Sequence, residues 1–199
     1  MIGALVGVVL ALASVVLGLT VRHAPPAVDE GLRQKAVGLG PGLVDVSAVV
    51  SFVLSPGLAT IALASLALRA FLAKDPLLAR CAVLLAVCWS TVFARYWYQR
   101  VRPIEFPKWA YPSGHVTAVT SVVFTGVVLC AWLARRWLRV AVVLACTAVV
   151  LTAASRVVLE MHWFTDTVGA VLAVVGVGMV VSRALRLVPV GVVSRREQS

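Results

Sequence analysis

Charge is what this sequence has least of. Only 13% of its 199 residues are Lys, Arg, Asp or Glu, against about 25% in an average soluble domain. Acidic residues are scarcest, eight against eighteen Lys and Arg, and histidine occurs three times. With so few carboxylates, and with His23 in a loop far along the chain from His115 and His162, no ligand set for a metal centre is recognisable. Neither a metal nor another cofactor is expected. Cys81, Cys88, Cys130 and Cys146 all fall in apolar stretches without CxxC spacing, so they read as small hydrophobes rather than bridges or ligands. The net charge of +10 would suit nucleic acid, yet no basic stripe interleaved with aromatics exists. The arginines gather instead at the ends of apolar runs, where long cationic side chains reach toward lipid headgroups. Nucleic acid is set aside as a partner.

What is abundant is apolar sequence: 61% of residues are hydrophobic and the mean hydropathy is +1.00. Runs of about 17–25 such residues cross a bilayer as helices. Six are recognisable: Ile2–Val21, Val46–Leu68 with a kink at Pro56–Gly57, Leu77–Phe93, Val116–Leu133, Val140–Ala154 and Thr167–Leu187. The first lacks a basic leader and is long for a signal peptide, so it reads as a retained helix. Its Gly3 and Gly7 form a GxxxG, a pairing motif or a small-residue packing face. The polar stretch 22–43 is expected to be a loop, with room for a short surface helix after Asp29. The third span is expected to continue as helix toward Arg102, because Pro103 is the first strong breaker. Three prolines make 103–112 a stiff loop. The expected architecture is an all-α polytopic membrane bundle forming a single domain over 1–199, with its polar motifs in 95–166 and a basic tail at 188–199.

With six spans the termini share a side with the second and fourth loops. Cations divide almost evenly between the sides. Several on the opposite side belong to the motifs below and are poor topology signals, so the positive-inside bias places the termini in the cytoplasm and the motifs outside.

Three segments concentrate polar groups on that outer side. In Arg95-Tyr-Trp-Tyr-Gln-Arg-Val-Arg102-Pro103 the two outer arginines lie seven residues apart, which on a continuous helix is one face. Two guanidinium forks so placed can grip one phosphate, although a snorkelling helix end looks similar. In Tyr111-Pro112-Ser113-Gly114-His115 a helix begins, and its free N–H groups and positive dipole end suit an anion. Gly114 permits close backbone approach, Ser113 can donate, and His115 can protonate a leaving oxygen. A plain helix cap would explain the serine but not a histidine in the first turn, where cations are disfavoured. In Ser155-Arg156-x5-His162-x3-Asp166 a helix would put the histidine and aspartate on one face. The carboxylate would then fix the imidazole tautomer and leave the other nitrogen as nucleophile or base, unless the pair is structural. Ionisable residues at membrane depth are functional candidates.

These segments together resemble the type 2 phosphatidate phosphatase superfamily, which also includes bacterial acid phosphatases and vanadium haloperoxidases. Its signature reads K-x6-RP, PSGH and SR-x5-H-x3-D. The chain matches the last two in full and in order, with Arg95 where the family has lysine. The resemblance implies that His162 attacks phosphorus to form a phosphohistidine, oriented by Asp166. It implies that His115 protonates the leaving oxygen and later activates water. Arg95, Arg102, Arg156, Ser113 and the Gly114 backbone would hold the phosphate, and no metal is needed.

The expectation is a metal-independent hydrolase of a lipid phosphate, a polyprenyl diphosphate or a phosphatidate-like lipid, in a bacterial plasma membrane. An outward site tilts the choice toward the polyprenyl diphosphate. A non-catalytic lipid-phosphate binder or transporter, and a vanadate haloperoxidase-type site, are the alternatives. A binder has no use for two histidines and a carboxylate, and the family's haloperoxidases are soluble. The aromatics Trp97, Tyr98, Trp109, Tyr111, Trp163 and Phe164 would line a lateral lipid entrance or form an interfacial belt. The sequence carries no signal for oligomeric state.

Overall fold

The computed structural model describes residues 2–104 and 109–187, so the basic tail expected at 188–199 lies outside the described residues. These residues form helices α1 (Ile2–Thr20), α2 (Ala27–Val37), α3 (Pro41–Val53), α4 (Pro56–Ala73), α5 (Pro76–Ser90), α6 (Arg95–Tyr98), α7 (Gly114–Leu133), α8 (Leu138–Val158) and α9 (Phe164–Ala184). No strand occurs among them. Six segments are long and apolar enough to span a bilayer: α1, α3 with α4, α5 through α6, α7, α8 and α9. The chain is an all-α, multi-pass membrane bundle.

Local chemistry explains the boundaries. Pro41, Pro56 and Pro76 each occupy a first-turn position, where the missing N–H costs nothing. The expected kink at Pro56–Gly57 is a full break, Leu54 and Ser55 separating α3 from α4. Between α4 and α5 the chain reverses through Lys74 in the left-handed region (φ 52°), and Asp75 caps α5 by accepting from the N–H groups of Leu77 and Leu78. The third span ends earlier than expected: it passes through a 3-10 turn at Thr91–Ala94 and one turn of α6, then stops at Gln99 (φ 50°).

α7 and α9 are the inner helices. About two fifths of their most apolar windows are buried (39% and 44%), against 17–22% for the other spans. α1 lies along α9 at backbone contact. A side-chain carbon on Gly7 would stand 2.8 Å from the Gly176 carbonyl oxygen, and one on Gly176 would stand 2.5 Å from the Ala11 nitrogen. Small residues thus set this crossing, as is usual where apolar burial gives no drive between helices in lipid. Gly3 takes little part, its nearest neighbour being Met179 at 4.0 Å. Two hydroxyls of α7 inside the bundle bond back to carbonyls of the preceding turn, Thr117 to Ser113 and Ser121 to Thr117, both at 2.7 Å. Cys81 and Cys88 pack with Leu84, Val174 and Leu187 as ordinary core residues, and all four cysteines are unpaired. The C-terminal ends of α1, α6 and α8 and the N-terminal ends of α7 and α9 meet at one end of the bundle. There α2 packs across α8 and α9.

Candidate active site

All three polar segments reach that end, though not by the helical phasing their spacing suggested. Because α6 stops at Tyr98, Arg95 and Arg102 do not share a helix face. Arg95 is held from within its own turn, Nε donating to the Val92 carbonyl (3.1 Å), and reaches the second segment through Nη2 to the Pro112 carbonyl (3.3 Å). Arg102, beyond the helix and 8% exposed, donates through Nη1 to the Met161 carbonyl (2.8 Å) and through Nη2 to the Trp109 carbonyl (3.3 Å). One arginine is tied to the head of α7 and the other to the loop before α9. The pair converges by tertiary contact.

The head of α7 follows the cis Tyr111–Pro112 bond. Ser113 is fully buried, and its amide donates to the Asp166 carbonyl oxygen (3.2 Å), joining the second segment to the third. Its hydroxyl makes no cap and has no partner among the described residues. A buried hydroxyl without a partner is costly, and an anion at this helix start would satisfy it. A side-chain carbon on Gly114 would stand 2.5 Å from Arg95 Nη2, so the guanidinium end would have to move.

In the third segment α8 ends at Val158, and the chain turns at Glu160 in the left-handed region (φ 52°). The amides of Met161 and His162 both donate to the Arg156 carbonyl (3.1 and 3.3 Å). His162 therefore lies before α9, not on it, which corrects the reason for its meeting Asp166. The aspartate, third in α9, reaches back: Oδ2 accepts from the Trp163 amide (2.9 Å) and stands 3.4 Å from His162 Nδ1. That contact is long and off the hydrogen-bond direction, leaving Nδ1 without a completed bond among the described residues. Catalytic hydrogen bonds are often this loose without substrate. Arg156 is pinned from α3, Nη1 donating to Ser51 Oγ (2.6 Å), while its Nε has no partner among the described residues.

Electrostatics express the crowding. Burial holds the His162 imidazole down to about 4; Asp166 pulls it upward, and Arg102 and Arg156 push it further down. At physiological pH it is neutral, so one ring nitrogen carries a lone pair. Burial, and then the nearby Arg95 guanidinium, also lower Arg102. A phosphate anion would relieve both effects. His115, half-buried on the first turn of α7, lies within electrostatic reach of His162, Arg95, Arg102 and Arg156. All the residues singled out in sequence thus come together.

Others were passed over. Arg100, 2% exposed, joins two carboxylates: Nη1 to Asp166 Oδ1 at 2.6 Å and Nη2 to Asp29 Oδ2 at 2.7 Å. In sequence Arg100 was one more cation at a helix end, and Asp29 a charge in a polar loop. The one available signal was rarity, since an acid-poor chain has few carboxylates to leave in a loop. The loop holding His23 is not remote either: Arg22 and His23 line a cavity of about 300 Å3 together with Arg33, Arg102 and Trp163. The aromatics divide. Tyr98 and Tyr111 pack edge to face in a small core with Val21, so they do not line an entrance. Trp97 is 74% exposed, as a belt residue would be. The guanidinium groups of Arg33 and Arg100 both lie over the Trp163 ring (5.9 and 5.7 Å from its centre), and Phe164 lines an apolar groove of about 420 Å3 between α2 and α8. Among the described residues no group of three or more His, Cys, Asp or Glu could hold a metal ion.

Comparison with known proteins agrees with this layout. The family model described as PAP2 superfamily matches residues 58–187, which include all three segments. Among solved structures the fold is similar to that of the transmembrane PAP2-type phosphatidylglycerolphosphate phosphatase from Bacillus subtilis. The TM-score is 0.67 at 22% identity, over 90% of this chain and 94% of that one. Among curated proteins none matches the chain by sequence. Three polar segments gathered at one end of a six-span bundle, within a family match covering most of the chain, identify it as a member of the PAP2 superfamily.

Proposed function

We propose that the chain is a metal-independent lipid phosphatase working through a phosphohistidine. The observation that carries this reading is the buried, neutral His162 beside Asp166, close to Arg102 and Arg156 and joined through Asp166 to the head of α7. With Asp166 accepting a hydrogen bond from Nδ1–H, His162 Nε2 attacks phosphorus. The bond from phosphorus to the leaving oxygen breaks, and His115 gives that oxygen a proton. A water then attacks the phosphohistidine, His115 takes the water's proton, and inorganic phosphate leaves. Arg95, Arg102, Arg156, the Ser113 hydroxyl and the Gly114 amide hold the equatorial oxygens, where charge develops.

The substrate is a lipid carrying a terminal phosphate, drawn from the bilayer so that its head meets the arginines. The apolar groove between α2 and α8 offers its tail a place beside the site. With the site outward on a bacterial plasma membrane, a polyprenyl diphosphate is the preferred member. The Bacillus subtilis relative's phosphatidylglycerolphosphate makes glycerophospholipids the second class to try.

Phosphate release by detergent-solubilised protein, measured with a chelator across phosphatidate, phosphatidylglycerophosphate and polyprenyl diphosphate, tests the reading. Release from at least one is expected, and none from any would sink it. His162→Ala should lower turnover by at least ~10³-fold while inorganic phosphate still competes for binding. Full activity in that variant would remove the nucleophile assignment.

A further inference from the structure

We propose that Arg100 and Asp29 are positioning residues for His162, acting through Asp166, and that α2 is thereby part of the catalytic apparatus. The inference rests on the phosphohistidine reading and deepens it.

Asp166 is fully buried, and both its oxygens are committed. Oδ1 takes the Arg100 hydrogen bond (2.6 Å) and Oδ2 the Trp163 amide (2.9 Å), which fixes the carboxylate plane with Oδ2 toward His162. A buried charge is tolerated only when paired and hydrogen-bonded, and Arg100 supplies that pairing. The other half of the guanidinium fork serves Asp29, itself 1% exposed on α2. Asp29 is held in turn by the head of α9: the Thr165 amide donates to Oδ1 (2.9 Å) and the Thr165 hydroxyl to Oδ2 (2.6 Å). That hydroxyl also accepts from Arg100 Nη1 (2.7 Å), which ties Asp29, Thr165, Arg100 and Asp166 into one network.

The charges explain why two carboxylates surround one arginine. Asp29, Arg100 and Asp166 together carry one negative charge. An Arg100–Asp166 pair alone would carry none. Attack by His162 leaves a positive charge on the phosphorylated imidazole, and only the three-residue cluster meets it with a net opposite charge. Arg100 donates to Asp29, Thr165 and Asp166, which points this cation away from the phosphate. Arg95 and Arg156 have no carboxylate within ion-pair distance among the described residues. Arg33 of α2 also reaches Glu160 in the turn before His162 (3.2 Å), a second tie between this helix and the nucleophile's loop.

The test uses full-length detergent-solubilised protein, dioctanoyl phosphatidate as substrate probe and inorganic phosphate as competitive inhibitor. Arg100→Gln and Asp29→Asn should each lower kcat by about 10–100-fold, the usual effect of removing an outer partner of a catalytic ligand. KM and the inhibition constant for phosphate should stay within about twofold, and Arg100→Lys should recover part of kcat. In the Arg100→Gln background Asp29→Asn should cost little more, since its effect passes through the arginine. Retained phosphate inhibition certifies that a variant is folded; should Arg100→Gln not fold, Asp29→Asn decides. Unchanged kcat in both variants, or a phosphate affinity that falls while kcat holds, would overturn the inference; the latter would make Arg100 a phosphate ligand. A parallel His162→Ala arm separates the claims, because activity there would remove the underlying reading whatever Arg100 does.

Discussion

The contact between Arg95 and Gly114 is the residue-scale signature of this chain. Where the family pattern has a compact ammonium, one nitrogen of a planar fork occupies the space that a side-chain carbon on Gly114 would need. Gly114→Ala should therefore displace Arg95 and raise KM by about 10-fold, the scale of one weakened charge-assisted hydrogen bond. Arg95→Lys in that background should restore part of the loss, because the shorter cation vacates the space. Kinetics of the two single variants and the double variant check this, and additive losses would disprove it. His162 supplies the second prediction at this scale. Its pKa is held down to about 4, below the ordinary histidine value, so the reactive neutral imidazole persists until the pH falls through that value. With the substrate's own ionisation divided out, kcat/KM should be level from neutrality down to about pH 5 and fall below pH 4. A loss beginning near pH 6.5 would contradict the burial argument.

Helices at this end differ in what their N-termini hold. The α9 terminus is occupied from within the chain, the Thr165 amide by Asp29 and the Trp163 amide by Asp166. The α7 terminus keeps a Ser113 hydroxyl with no partner among the described residues, the place that the proposed function gives to the substrate phosphate. Far from this chemistry, the α1–α9 crossing depends on Gly7 and Gly176 with their backbones in contact. Gly7→Leu should force the helices apart and cost roughly 1–3 kcal/mol, an overpacking penalty visible as a lower thermal midpoint in detergent. Gly3→Leu, at the loose end of the same helix, should leave the midpoint unchanged. The crossing also bears on the site, because Tyr111 is seated between the two helices, its hydroxyl bonding the Ser14 backbone and its ring lying against Gly169. Gly7→Leu should therefore lower activity as well as stability.

At the scale of the whole molecule, all three segments share one end of the bundle, so a single labelling experiment orients the site. With Lys108→Cys, an impermeant thiol reagent should label intact cells from outside, placing the site outward and the termini in the cytoplasm; labelling only after the inner face is exposed would reverse that. Much of this architecture was legible because it follows from composition and local pattern. Lipid solvation demands long uncharged helices, so six spans could be counted from hydropathy. The residues for phosphate chemistry sit in short segments whose order and spacing survive in one dimension. Helical phase misled where turns intervened. Arg95 and Arg102 meet although α6 stops at Gln99, and His162 meets Asp166 from outside α9 because an aspartate in a helix's first turn reaches backward. The cluster of Asp29, Arg100, Thr165 and Asp166 left no local mark, since its members come from three segments up to 137 residues apart. The sequence by itself determined the helices, the membrane and the chemical groups, because each depends on residues near one another along the chain. Only the tertiary structure decided which charges neutralise one another, because burial creates that demand and folding alone brings the partners within reach.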